Sequence, residues 1–185
     1  MQLVTELTPV DINDIKEMAK DARGEILRVF LHWTAGHYGQ VYDDYHISID
    51  YDGRIYLPDD CRDLTQRREH TYQRNYRSVG VTVCGCYGAE ANNGYDAYMG
   101  KEPVTEAQVE VLAIVVATLV KHAGLSLSDV YTHCEIALAD GYGPYQGDPE
   151  TRWDLWYLRD SDGAMKPGGE VIRGKAQWYL NHYDI

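Results

Sequence analysis

The chain is poor in basic residues, has one phenylalanine and lacks any long apolar run. Its 17 Lys and Arg are outnumbered by 29 Asp and Glu, which gives a formal net charge of -12. Because the phosphate backbone of nucleic acids favours clustered positive charge, we expect no nucleic-acid partner. The absence of an apolar run of membrane-spanning length predicts no membrane span. The first residues form neither a basic leader nor an apolar stretch, so we expect synthesis in the cytoplasm without a signal peptide.

The cysteines form no recognisable redox or metal-binding motif. Cys61, Cys84, Cys86 and Cys134 include no CxxC pair. Cys84 and Cys86 would also project from the same side of one strand, which does not suit a disulfide. We therefore expect four reduced thiols, in keeping with synthesis in the cytoplasm.

The length of 185 residues and the hydrophobic fraction of 44% predict one domain, with a core at about 25–158 and a C-terminal extension at 160–185.

Asp11 is placed to cap a helix that continues to about Lys20. The Thr105-x-x-Gln108 capping box and Gly124 predict a second helix over 106–123. The remaining pattern predicts strands over 25–34, 45–50, 55–57, 78–86 and 130–132, with loops over 58–77, 88–100 and 140–150. Asp52-Gly53 predicts a tight hairpin turn between the second and third of these strands. This order predicts an α/β fold with a central mixed sheet flanked by helices.

Three short motifs stand at or beyond predicted strand ends. They are His32-Trp-Thr-Ala35, His133-Cys-Glu135 and Arg152-Trp-Asp154. Two neutral imidazoles and one carboxylate can hold zinc with a fourth position open, as in catalytic zinc sites. Spacing alone does not establish such a site, because the chain has 7 histidines and a single histidine is commonly bonded to structural groups. Three other carboxylates compete for the third ligand position: Asp148, Glu150 and Glu135.

The sequence around these motifs resembles the zinc-dependent N-acetylmuramoyl-L-alanine amidases, the family that also contains bacteriophage T7 lysozyme and the peptidoglycan recognition proteins. The resemblance runs from about Ile26 to Leu155. Its landmarks follow one another in the family's order: His32-Trp-Thr-Ala-Gly36, Tyr45-His46, Asp52-Gly53, His70 with Asn75, Ser78-Val-Gly-Val81, the Thr105-capped helix, Val130-Tyr-Thr-His-Cys-Glu135 and Arg152-Trp-Asp154. Any one of these landmarks would be a weak signal, whereas the ordered set is specific.

The resemblance implies a Zn²⁺ ion in a surface groove, held by His32, His133 and Asp154. It further implies hydrolysis of the amide bond between N-acetylmuramic acid and L-alanine in peptidoglycan. The expected partners are therefore peptidoglycan and muropeptides, bound by a monomer. A protein of this kind that lacks a signal peptide would act on the cell wall after release or delivery, as a phage lysin or a secreted effector.

The resemblance also implies roles for residues around the metal. Tyr45 matches a tyrosine that stabilises the tetrahedral centre, and Arg152 stands where the family usually has a catalytic lysine. His70 is expected near the scissile bond as a further catalytic group. One branch of the family has a catalytic glutamate where this chain has Thr82, which places the chain nearer to the T7-like branch. The residues expected to line the substrate cleft are Asn75, Thr82 and Thr34.

Two departures affect the expected substrate contacts. Asp154 follows His133 by 21 positions, a longer connection than in T7 lysozyme, and Leu155 replaces a proline that often follows the third ligand. The Arg152 guanidinium keeps a positive charge but does not donate a proton near neutral pH. The alternative to an enzyme is a peptidoglycan- or muropeptide-binding protein of the same fold that has lost catalysis. Retention of all three ligand positions favours the enzyme.

Overall fold

The computed structural model describes residues 1–90, 98–144, 146 and 153–185. The strands are β1 (Leu7–Val10), β2 (Arg28–Trp33), β3 (Ile47–Ile49), β4 (Ile55–Pro58), β5 (Ser78–Val83), β6 (Val130–Thr132), β7 (Tyr157–Arg159) and β8 (Met165–Pro167). The helices are α1 (Ile12–Asp21), α2 (Glu106–Ala123), α3 (His133–Asp140) and α4 (Gly168–His182). The first six strands form one sheet in the order β1-β4-β3-β5-β2-β6, and β7 pairs with β8 alone.

The six-stranded sheet is mixed, which confirms the predicted fold class. β2 lies between β5 and β6 and runs parallel to both, while β3 runs parallel to β5. β4 and β1 extend the sheet in antiparallel pairing. The predicted turn at Asp52-Gly53 joins β3 to β4, and Gly53 has a φ of 85°, which favours glycine. Because parallel strands end at the same edge, the residues that follow β2, β5 and β6 collect at one place.

The two predicted helices begin and end close to their predicted residues. Asp11 accepts hydrogen bonds from the amides of Asn13 and Asp14 at the start of α1. Thr105 and Gln108 form the predicted reciprocal capping box of α2, and Gly124 ends that helix with a φ of 76°. α2 packs against both α1 and α4, so these three helices form one layer. An apolar stripe of α2 is buried: Val109, Leu112, Val116, Leu119 and Val120.

Within the described part of the chain, every helix is too short or too polar to cross a membrane.

The two faces of the sheet differ in what covers them. Val29 and Leu31 of β2 belong to the hydrophobic core that the helices share. Phe30 between them faces the other way, and its ring lies 5.9 Å from the ring of His70 in the 59–77 loop. Since side chains alternate along a strand, His32 lies on the same face as Phe30, away from the helix layer.

Several elements were not predicted from the sequence, namely β1, α3, the β7–β8 hairpin and α4. α4 lies in the expected C-terminal extension at 160–185, and its Ile172 and Ala176 are buried in the core. β5 ends at Val83, before the predicted end at Cys86, because Gly85 and Cys86 take positive φ angles of 135° and 67°. All four cysteines are buried and unpaired, in agreement with the expected thiols.

Candidate metal centre

Strand register places His32 beside His133. Leu31 of β2 pairs with Thr132 of the parallel strand β6. The next residue along the chain from each of these two is a histidine, so both imidazoles stand at the same edge of the sheet. Their ring centroids are 4.9 Å apart. Two histidines separated by 101 positions along the chain thereby become neighbours.

His133 is also the first residue of α3, and three groups fix this helix start. The Thr132 hydroxyl accepts from the Glu135 amide at 3.2 Å, and the Glu135 carboxylate accepts from the Thr132 amide at 2.8 Å. Arg173 of α4 donates to both Glu135 oxygens at 2.8 Å. Glu135, one of the carboxylates that competed for the metal, is therefore engaged in capping α3 and pairing with Arg173.

Asp154 completes the group from the segment that precedes β7. Its Oδ2 lies 3.0 Å from His32 Nδ1, and its Oδ1 lies 3.2 Å from His133 Nδ1. The neighbouring Trp153 is buried and packs edge-on against Trp33 at the end of β2, with a centroid distance of 4.8 Å. This contact holds the Asp154 backbone beside the strand that carries His32.

The three side chains fit a metal ion. One ligand atom from each of His32, His133 and Asp154 lies within 4.8 Å of the others. Among the described residues, the buried atoms His133 Nε2 and Asp154 Oδ1 have no hydrogen-bond partner. Unpaired buried polar atoms are costly, and a cation among these groups would offset the cost for the carboxylate.

The protonation states at the site also suit a metal. Burial lowers the pKa of His32, which keeps its imidazole neutral. Burial alone would raise the pKa of Asp154, but the closeness of His133 and His32 outweighs it and lowers that pKa. Neutral imidazole and ionised carboxylate are the forms that bind metal, and this donor set matches three-ligand zinc sites.

Tyr45 lies against the metal group. Its ring centroid is 5.2 Å from that of His32, and the side chain is buried. Burial, with a smaller contribution from Asp154, raises the pKa of Tyr45, and a hydrogen bond with Thr82 opposes that rise. Thr82 pairs with His32 across β5 and β2 and is fully buried. Tyr45 therefore presents a neutral phenol next to the ligands.

The other expected substrate contacts have partners within the protein. His70 Nδ1 lies 2.9 Å from Thr71 Oγ1 and its Nε2 lies 3.3 Å from Ser78 Oγ, so both ring nitrogens are engaged. Asn75 Oδ1 accepts from the Thr71 amide at 2.7 Å. The Thr34 hydroxyl accepts from two backbone amides, at 3.0 and 3.2 Å. Such bonds order the loops beside the metal group.

Arg152, and the competing carboxylates Asp148 and Glu150, lie outside the described residues.

Sequence reasoning missed two contributors to the site. Thr132 caps α3 in a Thr-x-x-Glu pattern, a signal that the sequence does contain. Thr71 contacts His32 with its hydroxyl at 3.2 Å, and only its position beside His70 pointed to it. The structure thus adds a layer of hydroxyl groups behind the predicted ligands.

The sequence matches the family described as N-acetylmuramoyl-L-alanine amidase over residues 22–150, more than half of the chain. The match includes His32, Tyr45 and His133 and ends before Asp154. No curated protein is significantly similar in sequence to the chain.

Several solved structures resemble the chain, including those of the following three proteins. The endolysin N-acetylmuramoyl-L-alanine amidase LysCS from Clostridium intestinale is 17% identical, with a TM-score of 0.43 over 74% of this chain and 78% of its own. The amidase LysC from the same organism is 18% identical, with a TM-score of 0.42 over 74% and 80%. PGRP-Hd from Alvinella pompejana is 20% identical, with a TM-score of 0.41 over 60% and 73%.

Proposed function

Since the chain belongs to the N-acetylmuramoyl-L-alanine amidase family, we propose that it hydrolyses the amide bond between N-acetylmuramic acid and L-alanine in peptidoglycan. The observation that carries this proposal is the buried group of His32, His133 and Asp154 at the ends of two parallel strands and the segment before β7. The family match and the donor chemistry support zinc as the ion that they hold.

A bound zinc ion supplies Lewis acidity, which polarises the scissile carbonyl and lowers the pKa of water to about 7. The chain's own part is to hold its ligands ready. Strand register fixes the two imidazoles, and the Trp33–Trp153 contact fixes the carboxylate. A site that is assembled before substrate binds loses little energy to rearrangement during the reaction.

Tyr45 is the residue that we propose to stabilise the reacting carbonyl oxygen. Its neutral hydroxyl is a hydrogen-bond donor, and it lies beside His32 in a buried, low-dielectric position, where such bonds are strong. Arg152 is proposed, from the sequence alone, to add positive charge at the oxyanion. His70 has both nitrogens engaged, so we assign it to ordering the site rather than to proton transfer with the substrate.

The test is digestion of purified peptidoglycan followed by mass analysis of the products. The chain should release stem peptides with a free N-terminal L-alanine and leave the glycan strands intact. His133→Ala should abolish this release while the domain stays folded, and His182→Ala, at an exposed position on α4, is the matched control. New reducing sugar ends, or full activity of His133→Ala, would contradict the proposal.

The same digestion distinguishes the enzyme from a binding protein of the same fold. A binding protein would retain muropeptides without releasing new N-terminal alanine. We further propose that the chain acts on the cell wall after release or delivery, as a phage lysin or secreted effector. Hydrolysis of small soluble fragments without hydrolysis of intact sacculi would refute action on the cell wall but not the proposed amidase chemistry.

A further inference from the structure

A chain of hydrogen bonds runs from the metal group into the sheet. His32 Nε2 lies 3.2 Å from Thr71 Oγ1, and Thr71 Oγ1 lies 2.9 Å from His70 Nδ1. His70 Nε2 lies 3.3 Å from Ser78 Oγ, which donates to the carbonyl of Arg74 at 3.0 Å. His32, Thr71, His70 and Ser78 are all buried, so water does not substitute for these partners. We call these four residues the relay.

The last bond sets the direction of the relay. A carbonyl only accepts, so the Ser78 proton is committed to Arg74, and Ser78 Oγ receives the proton of His70 Nε2. The His70 ring is buried and both of its nitrogens face hydroxyl groups, so the ring is neutral and carries one N–H. With that proton on Nε2, Nδ1 is an acceptor, and the Thr71 hydroxyl donates to it.

Thr71 has then used its only proton. Its oxygen can therefore interact with His32 Nε2 only as an acceptor, which requires the proton of His32 to lie on Nε2. His32 Nδ1 is left with a bare lone pair, 3.0 Å from Asp154 Oδ2, which is also an acceptor. Two acceptors at this distance repel each other unless a cation lies between them.

We propose that Thr71 is a positioning residue that holds His32 in the Nε2–H tautomer and so directs Nδ1 to the metal. The inference rests on the proposed zinc site but not on the nature of the substrate. A second-layer acceptor for a histidine ligand fixes the ring and raises its basicity. Here that acceptor is a hydroxyl whose own proton is directed by a second, non-ligating histidine.

Two features hold the relay in place. The Thr71 amide donates to Asn75 Oδ1 at 2.7 Å, which orders the loop around the hydroxyl. Gly80 of β5 leaves room for the His70 ring, since an added Cβ there would lie 2.5 Å from a ring carbon. This gives Asn75 and the buried His70 a purpose that requires no contact with substrate.

The test measures zinc affinity by competition with a chromophoric chelator. Thr71→Val keeps the side-chain shape and removes the hydroxyl, and it should weaken zinc binding by about 10- to 100-fold. Thr71→Ser restores the hydroxyl and should bind zinc within about threefold of the wild type. Thr65→Val is the matched control, because Thr65 is an exposed residue of the same loop and its hydroxyl bonds to Asp63. Zinc affinity of folded Thr71→Val equal to that of the control would overturn the inference.

The tautomers provide a second readout that does not depend on a variant that folds. Imidazole ¹⁵N shifts of the zinc-loaded wild type should show the proton of His70 on Nε2 and that of His32 on Nε2. A proton on His70 Nδ1 would overturn the inference, since it reverses the relay. A chain that binds zinc through this relay but releases no N-terminal alanine would refute the proposed function alone. A wild type that binds no zinc would overturn both.

Discussion

Replacing Arg173 with alanine should destabilise the start of α3, where His133 lies. Arg173 donates two parallel hydrogen bonds of 2.8 Å to Glu135 and a third, of 3.1 Å, to the Val130 carbonyl. These bonds tie α4, in the C-terminal extension, to β6 and to the helix that begins with a proposed ligand. The variant therefore tests whether residues beyond 160 are integral to the domain.

The expected loss is about 1–2 kcal/mol of unfolding free energy. Hydrogen bonds to charged groups contribute about 1.5–3 kcal/mol, while exposed ion pairs contribute about 0–1 kcal/mol. The side chains of Arg173 and Glu135 are 24% and 31% exposed, so the pair belongs between these limits. For a chain of this size the melting temperature should fall by about 2–8 °C.

The assay is thermal and urea unfolding followed by circular dichroism. Lys20→Ala is the control, since its ion pair with Glu17 is exposed and screened by solvent, and its loss should leave the unfolding midpoint nearly unchanged. Arg173→Lys keeps the charge but loses the paired geometry, and should fall between the wild type and the alanine variant. If Arg173→Ala unfolds at the same point as Lys20→Ala, the reasoning about this contact is refuted.

Three further predictions concern buried groups. Tyr45→Phe keeps the ring but removes the hydroxyl, and should lower kcat by about 10- to 100-fold with little change in KM; an unchanged kcat in the peptide-release assay would remove Tyr45 from the proposed chemistry. Burial raises the pKa of Cys134, so it is an unreactive thiol, and Cys134→Ala should stay active in the same assay; loss of activity in a folded variant would indicate thiol chemistry. Burial lowers the pKa of His46 to about 4, below the unfolded value, so its contribution to stability is present above about pH 6.5 and lost as pH falls towards 4. Between pH 7 and pH 5 the wild type should therefore lose about 2 kcal/mol more than His46→Gln in urea titrations, and parallel losses would contradict this origin.

Local signals in the sequence were enough for the elements that they govern. The Thr105 capping box and Gly124 predicted the bounds of α2, because a cap and a left-handed ending act within one helical turn. Asp11 did the same for α1. The Asp52-Gly53 turn predicted the β3–β4 hairpin for a similar reason.

Features that depend on distant parts of the chain were not accessible in this way. β1 is a short strand whose place depends on pairing with β4, 45 or more positions later. α4 depends on packing against α2 and on Arg173 meeting Glu135. α3 is a different case, since its Thr132-x-x-Glu135 box was present in the sequence and was overlooked.

The metal group illustrates both what local sequence signals reveal and what they do not. The motifs identified His32, His133 and Asp154 as candidates through a family resemblance. The match over residues 22–150 confirms the family. Their proximity comes from the pairing of Leu31 with Thr132, which no local pattern reveals. The hydroxyl of Thr71 behind His32 comes from the fold of the 59–77 loop and had no sequence signal of its own.

The most direct test of zinc-dependent amide hydrolysis is a zinc titration of metal-stripped protein on purified peptidoglycan, with mass analysis of the released peptides. The account predicts no release without metal, and release of peptides with N-terminal L-alanine that saturates at about one zinc per chain. Full release by the metal-stripped protein, or products with new reducing sugar ends, would contradict it.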